Sequence, residues 1–349
     1  RGKVSPLYDA RIPISTGQVT QNPKLTNFAP RIGAAYRLTD TTVLRGGYGI
    51  YTETIGRYSR VLAGGPFEIT ESYINQISGG QPQFTFPNPF PGSLGQARIP
   101  SQSFTGYPLD TDNGKIHQFN VSLEHQVKDV GLRISYVGAR NRGINYSLAI
   151  NKPQPTLTPF TQARRPWPLF VGGSYFRSDG EQNYNALSLQ AQRRMGQVTF
   201  DTHWTLTSNY YTTDSRSLEN PYASPGFSRV PYTSRQRAVF NVVWEMPFGR
   251  GRKYMADAPA VVNGILGGWR LYWIGYLESG FFFSPTFSGS DPSNTNTVGG
   301  VPDRVANGNL ATDQRQIDRW FDTAAFRVPQ AGTFGNSAPN VLEGPGYNM

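Results

Sequence analysis

The sequence predicts an all-β chain built from long antiparallel hairpins, and three observations support that prediction. Only 16% of the 349 residues are charged, whereas 38 Gly, 27 Pro and 13% aromatic residues indicate many turns and little helix. No stretch approaches the roughly 18 consecutive apolar residues that a membrane-spanning helix requires. About eight segments alternate apolar and polar residues with the two-residue period of a β-strand.

These segments form four hairpins separated by long loops. The hairpins are predicted at about residues 27–52, 116–140, 184–207 and 237–279. The first three turn at short connections that contain Asp or Gly, and the longer connection in the fourth is predicted to hold a short helix near residues 259–266. Stretches rich in Pro, Gly, Ser and Asn separate the hairpins and are predicted to be long loops at about 53–115, 141–183, 208–236 and 280–349.

Short turns at one rim and long loops at the other are typical of an outer-membrane β-barrel. Each predicted strand has about 9 to 12 residues, enough to cross the hydrocarbon core at a tilt of about 45°, whereas strands of soluble proteins average about 5 to 6. Aromatic side chains lie within strands or at their ends, as in an interfacial girdle: Tyr36, Tyr51, Trp204, Trp244 and Trp269. The alternative at this point is a large soluble β-sandwich whose core holds the same rings.

The alternation gives most strands one apolar and one polar face. Phe119, Val121 and Leu123 share a face, for example, and the residues between them are polar. The last strand is less regular, because Tyr272 and Ile274 fall on the face that should be polar. We expect the apolar rows to face lipid and the polar rows to face an aqueous lumen. The predicted lumen-facing residues are Arg45, Asn120, Glu124, Arg133, Gln190, Asp201, His203 and Glu245.

The composition gives little support for catalysis. The chain has no cysteine, and therefore no disulfide, zinc–thiolate site or thiol nucleophile. His117 and His125 would lie about 25 Å apart along one strand, too far to share a metal ion. Asp201 has the position to orient His203, but a polar pair lining a lumen is the simpler interpretation. G-x-S-x-G, H-E-x-x-H and Walker motifs are absent from the sequence. We therefore predict no enzyme, no metal site and no cofactor.

The formal charge of +10 is spread along the chain without a clustered Lys/Arg run. A nucleic-acid partner is therefore not expected, whereas an anionic ligand or anionic lipid headgroups fit this charge.

Several segments carry a resemblance to a known family. They include TNFAPRIGAAYRLTDTTVLRGGYGIYTE, IHQFNVSLEHQV, NYNALSLQAQRRM, FNVVWEMPFGRGRKYM and GTFGNSAPNVLEGPG, in this order from about Asn27 to Gly346. In these segments the chain resembles the Oar-like TonB-dependent receptors. The resemblance implies a barrel of about 22 strands, with an amino-terminal plug in the lumen, that imports a bound ligand with energy supplied through TonB.

On this resemblance residues 1–349 would be part of the barrel domain, about 8 strands of the whole, without the plug. We expect the chain to be cut at both ends, because neither a TonB-contacting box nor an aromatic terminal strand is recognisable in it. The implied location is the outer membrane. The implied partners are membrane lipid and lipopolysaccharide, the plug domain and the TonB complex through parts outside this chain, and a small or oligomeric ligand.

Ligand contact is expected from the outer loops, where aromatic residues and arginines are common on binding surfaces. The candidates are Arg164, Arg165, Trp167, Phe170, Tyr210, Tyr211 and Arg216. Peptides, glycans and metal chelates are all compatible with this prediction. Two other functions are alternatives: an outer-membrane adhesion or assembly barrel without transport, and a secreted β-sandwich that binds carbohydrate.

Overall fold

One antiparallel sheet dominates the chain. The computed structural model describes residues 27–53, 77–82, 103–106, 108, 113–213 and 219–348. Each long strand pairs antiparallel with the next one in chain order, which confirms the predicted all-β meander. The long strands are β1 (Arg31–Thr39), β2 (Thr42–Thr52), β3 (Lys115–Val127), β4 (Val130–Leu148), β5 (Gly172–Arg193), β6 (Val198–Thr213), β7 (Gln236–Glu245) and β8 (Arg270–Glu278).

Short strands and 3-10 turns lie in the segments at the rim opposite the tight turns. Ser103–Gly106 pairs in parallel with β5, Gly226–Arg229 pairs with β6, and Tyr347–Asn348 pairs with β8. Small two-stranded ladders join Ile77–Ser78 to Gln81–Pro82, Phe282–Phe283 to Leu342–Glu343, and Asp303–Arg304 to Phe326–Arg327. Single 3-10 turns lie at Gln162–Arg164, Thr312–Gln314 and Thr323–Ala325.

The connections at the other rim are short, as predicted. Asp40 and Thr41 join β1 to β2, and Lys128 and Asp129 join β3 to β4. Gly196 lies in the turn between β5 and β6 at a φ of 96°, a conformation that glycine adopts without the strain of a Cβ atom. The longer connection between β7 and β8 holds the helix α1 (Ala260–Leu266), which confirms the predicted helix. Within the described residues, no helix has the length and apolar character needed to cross a membrane.

Three strands extend further than the sequence predicts. β4 continues to Leu148, β5 begins at Gly172 and β6 continues to Thr213, so both ends of the predicted loop at 141–183 are strand. The pairing of β4 with β5 is irregular between Arg142 and Tyr146, which interrupts the two-residue period. On β4 the charged residues Arg140 and Arg142 interrupt the apolar row, but the pairing of the backbone continues the sheet past them.

The registers align the apolar residues into straight rows on one face. One row joins Leu123 of β3 to Ile134 of β4, Leu189 of β5 and Trp204 of β6. These side chains are not covered by a second layer in the described part of the chain: Ile134 is 51% exposed and Leu189 is 42% exposed. A soluble β-sandwich would bury such rows between its two sheets. The apolar face therefore requires an apolar surrounding such as lipid, and the sandwich interpretation is wrong.

Most of the fully buried side chains lie away from the sheet. We call residues 149–171, 219–235 and 279–341 the loop layer, because they follow or precede strands at the rim opposite the tight turns. Buried members of this layer include Asn151, Phe170, Thr295 and Ala325. The packed core of the described chain is thus concentrated in its loops, while both faces of the sheet stay largely open.

Candidate functional site

The polar face of the sheet contains all eight residues predicted to face a lumen. The registers place Glu124 opposite Arg133, Arg133 opposite Gln190, and Gln190 opposite His203. The remaining members share this side of the sheet, away from the apolar rows, at the register positions of their strands: Arg45, Asn120, Asp201 and Glu245.

Glu124 is the centre of an ion-pair network on this face. Its Oε1 atom lies 2.6 Å from Nη2 of Arg133, and its Oε2 atom lies 3.4 Å from Nε of Arg45. The network therefore joins β2, β3 and β4 through their side chains. Both guanidinium groups are about half-exposed, which fits a face in contact with water.

Two further polar contacts continue along this face. Gln190 donates from Nε2 to Oδ1 of Asp201 at 2.9 Å. Glu245 lies 2.9 Å from Nη2 of Arg270 on β8 and 3.2 Å from Nη2 of Arg252 in the connection before it. Asp201 thus accepts a hydrogen bond from the neighbouring strand, which fits the interpretation of Asp201 and His203 as a polar pair on this face.

The other two histidines lie on the apolar face, at opposite ends of the β3 row. Nδ1 of His117 is 2.7 Å from the hydroxyl of Tyr48, and Nδ1 of His125 is 2.8 Å from Oγ1 of Thr42. Nδ1 of each imidazole therefore has a hydroxyl partner on β2. Among the described residues, no three His, Asp or Glu side chains converge as a metal site would require.

Arg164, one of the predicted ligand-binding residues, ties two loops together. Its Nη1 atom donates to the carbonyl of Thr158 at 2.6 Å and to that of Asn294 at 2.8 Å, and its Nη2 atom donates to the carbonyl of Gln154 at 2.8 Å. These contacts join residues 149–171 to residues 279–341. The guanidinium is thus used to brace the loop layer.

Asn151, which the sequence analysis missed, organises the loop that contains the other candidates. Its Nδ2 atom donates to the carbonyls of Trp167 and Phe170 at 3.1 and 2.8 Å, and its Oδ1 atom accepts from the Trp167 N–H at 2.8 Å. Its own carbonyl accepts from Nη1 of Arg165 at 2.9 Å. No motif marks this asparagine in the sequence, because its partners follow only from the path of the loop.

Around Asn151, the structure separates buried candidates from an exposed one. Arg165 and Phe170 are only 9% and 7% exposed, and burial lowers the pKa of the Arg165 guanidinium. The expectation that these two side chains form an open binding surface is therefore wrong. Trp167 is 45% exposed, with its ring edge-on to that of Phe104 at 5.3 Å between centroids. It is the exposed member of this group of three side chains.

Tyr210 belongs to a second aromatic group, at the end of β6. Its ring stacks on that of Phe227, with 6.0 Å between the ring centroids. The guanidinium carbon of Arg229 lies 4.8 Å from the ring centroid of Tyr210 and 4.7 Å from that of Phe282. Tyr211 is the next residue on β6 and therefore points to the opposite face of the sheet. The seventh candidate, Arg216, lies outside the described residues.

A buried polar contact links the three parts of the loop layer. Nζ of Lys152 donates to the carbonyl of Glu219 at 3.0 Å, and the Glu219 carboxylate accepts the N–H of Val301 at 3.0 Å. Burial lowers the pKa of Lys152 and raises the pKa of Glu219. The loops are therefore fixed to one another by side chains that the sequence analysis did not identify.

Comparison with known protein families identifies the family of this chain. A family model described as an outer membrane beta barrel domain matches residues 8–349. No curated protein matches the chain. Among solved structures, it is similar to the FrpB iron transporter from Neisseria meningitidis (F3-3 variant), with 8% identity over 73% of this chain and 26% of that one, and a TM-score of 0.36. It is also similar to the outer membrane transporter YddB from Escherichia coli, with 10% identity over 75% of this chain and 30% of that one, and a TM-score of 0.39. The chain thus spans less than a third of the length of either structure.

Proposed function

Because the chain belongs to the outer membrane beta barrel domain family and is located in the outer membrane, we propose that it forms part of the wall of a TonB-dependent receptor of the Oar-like type. Such a receptor binds an external ligand with its outer loops and imports it through the barrel. The observation that carries the proposal is the division of one sheet into an exposed apolar face and a face of paired charges. This division fits a wall between lipid and water.

The open edges of the sheet support a larger barrel. Among the described residues, β1 has a strand partner on one side only, and all nine of its residues are exposed. In hydrocarbon, each unpaired backbone group costs several kcal/mol, so a spanning sheet must close on further strands. Eight strands alone close a narrow barrel that side chains fill. Half-exposed arginines on the polar face and long loops at one rim favour a wider lumen, in which this face would contact water or a plug.

The loop layer supports the binding role. Loops held in fixed positions by buried contacts are suited to presenting side chains to a ligand. The exposed aromatic residues of this layer supply flat apolar surface with polar edges: Trp167, Tyr222, Phe227 and Tyr232. Their position on the outer rim is where an arriving ligand would first meet the receptor.

Uptake by cells tests the import role. Cells that make the full-length protein would be given three radiolabelled probes: a maltooligosaccharide, a tetrapeptide and a ferric siderophore. We expect one probe class to accumulate only when both the protein and TonB are present. Accumulation that is unchanged without TonB would contradict import. Cell adhesion that requires the protein, together with no uptake of any probe, would support the adhesion alternative instead.

Binding of the same probes to the full-length protein tests the outer loops. We expect Trp167→Ala to weaken probe binding by about tenfold, the usual cost of losing an exposed aromatic contact. Leu157→Ala is the matched control, because Leu157 is an exposed apolar residue of the same loop. Equal effects of the two substitutions would contradict a specific role for Trp167.

A further inference from the structure

The polar face of the sheet loses its charges towards the rim of the long loops. On the four central strands, β3 to β6, the acidic and basic groups of this face lie in the half nearest the tight turns: Glu124, Arg133, Asp201 and His203. In the half nearest the loops, as far as the regular register extends, the same face has amide, hydroxyl and apolar side chains. The central wall is therefore charged at one end and neutral at the other.

Four residues form a square in this neutral part of the face. Gln182 and Tyr184 lie two residues apart on β5, and Tyr211 and Asn209 lie directly opposite them on β6. Residues with this spacing and pairing point to the same side of a sheet. We call these four residues the amide–tyrosine square. Each amide has a tyrosine next to it along its own strand and another across the strand pair, and all four side chains are partly exposed.

Hydrogen bonds hold the two amides of the square in place. Nδ2 of Asn141 on β4 donates to Oε1 of Gln182 at 2.7 Å, and Nε2 of Gln182 donates to Oδ1 of Asn209 at 2.9 Å. Nδ2 of Asn209 then donates to Oγ1 of Thr233 in the loop layer at 3.1 Å. Oδ1 of Asn141 is buried, so Asn141 positions Gln182 without presenting its own carbonyl to the lumen. The square is thus fixed between β4 and the loop layer.

Both amides of the square keep further hydrogen-bonding capacity. An amide group has two N–H donors and two acceptor lone pairs. In the hydrogen bonds among the described residues, Gln182 and Asn209 each use one donor and one lone pair. The remaining donor and lone pair of each amide match a hydroxyl group, which is itself both a donor and an acceptor. The tyrosine rings beside them supply apolar faces with a polar tip. A sugar ring is complementary to this set, because hydroxyl groups surround its rim and C–H groups cover its faces.

The charge distribution selects against charged ligands at the square. The carboxylates of an anionic metal chelate, or the charged ends of a peptide, would lack a counter-charge on this part of β3 to β6. On the next strand, β7, the basic residue Arg237 lies opposite Thr205, and its guanidinium carbon is 5.7 Å from the ring centroid of Tyr276. This arginine therefore borders the neutral wall and stacks on a ring of β8.

We propose that the amide–tyrosine square binds a neutral oligosaccharide on the lumen wall, at the rim of the outer loops. Gln182 and Asn209 hydrogen-bond to sugar hydroxyls, and Tyr184 and Tyr211 pack on the C–H faces of the sugar rings. The inference deepens the proposed receptor role and rests on it, because this face lines a lumen only in a closed barrel. The two can fail separately, since binding in detergent needs no TonB whereas import does.

Equilibrium binding to the full-length protein in detergent tests the proposal. The neutral probes are maltohexaose, cellohexaose and xylohexaose. The charged probes are hexagalacturonate, which has a similar size, a tetrapeptide and ferric enterobactin. We expect a neutral hexaose to bind and the charged probes not to bind. Gln182→Ala should weaken this binding by about fivefold and Tyr184→Ala by about tenfold, the usual costs of losing a hydrogen bond and an aromatic contact.

Two control variants separate the square from general polarity and from misfolding. Gln190→Ala is the matched control, because Gln190 lies on the same strand and face as Gln182 and also donates one side-chain hydrogen bond. It should leave the affinity unchanged. Tyr184→Phe keeps the ring and should retain most of the binding. Binding of a charged probe in place of the neutral ones, no binding of any neutral hexaose, or equal weakening by Gln182→Ala and Gln190→Ala would each overturn the proposal.

Discussion

Glu124 shows how single residues hold the polar face together. Its carboxylate lies between the guanidinium groups of Arg45 and Arg133, so one acid on β3 contacts both neighbouring strands. Exposed ion pairs usually contribute little each, because water and salt screen them and ordering long side chains costs entropy. A shared carboxylate is different in one respect: its removal leaves two cations, on the strands either side of β3, without their common counter-charge.

We expect Glu124→Gln to lower the free energy of unfolding by roughly 0.5–1.5 kcal/mol at low salt, with a smaller effect at high salt. Urea unfolding of the full-length protein in detergent measures this difference. A double-mutant cycle with Arg133→Gln isolates the pair energy. The control is Glu181→Gln, whose ion pair with Arg142 is longer, at 3.7 Å, and more exposed. A loss for Glu124→Gln that does not change with salt would contradict an electrostatic origin.

At the scale of elements, the two-residue period predicted much of the sheet. The predicted start of the fourth hairpin, at about residue 237, lies within one residue of the observed start of β7 at Gln236, because alternation there begins with the strand. The ends of β4 and β5 could not be predicted in this way. On β4 the charged residues Arg140 and Arg142 interrupt the apolar row, and the register beyond them is irregular, so the pairing of the backbone reveals the strand.

The loop sites were less predictable than the strands, for a physical reason. The face of a strand residue follows from its own position in the period, whereas the burial of a loop residue depends on distant segments. Arg164 contacts Asn294, which is 130 positions away. Arg165 and Phe170 have residue types common on binding surfaces, yet both are buried around Asn151. Nothing local in the sequence distinguishes them from the exposed Trp167.

We expect Asn151→Ala to loosen the loop at residues 149–171 while leaving the sheet intact. The substitution removes three hydrogen bonds. The carbonyls of Phe170 and Trp167 keep other donors, whereas the Trp167 N–H loses its acceptor, at a cost of about 1–3 kcal/mol for an unsatisfied group. Limited proteolysis of the full-length protein should cut this loop faster. Gln154→Ala, an exposed position in the same loop, is the matched control and should not change the rate. Cleavage equally fast in wild type would contradict the role of Asn151.

At the scale of the whole molecule, the two faces of the sheet require different surroundings, lipid on the apolar face and water on the charged face. In water, the exposed apolar rows would cause the protein to aggregate. In lipid, the charged face would carry a large desolvation cost. Placing lipid against one face and water against the other removes both penalties. The loop layer then lies outside the bilayer, where buried polar contacts such as that between Lys152 and Glu219 stabilise it without the aid of a sheet core.

Single cysteines test this two-solvent arrangement, because the chain has none of its own. Leu189 and Gln190 are neighbours on β5 that point to opposite faces. In proteoliposomes of the full-length protein, we expect a water-soluble maleimide to react with Gln190→Cys and to react far more slowly with Leu189→Cys. The reacting species is the thiolate, which hydrocarbon disfavours and the charged reagent cannot reach. Ser135→Cys and Ile134→Cys on β4 form a second matched pair. Both members of each pair should react equally after denaturation in urea, and equal rates in the intact membrane would mean that the apolar face is not in lipid.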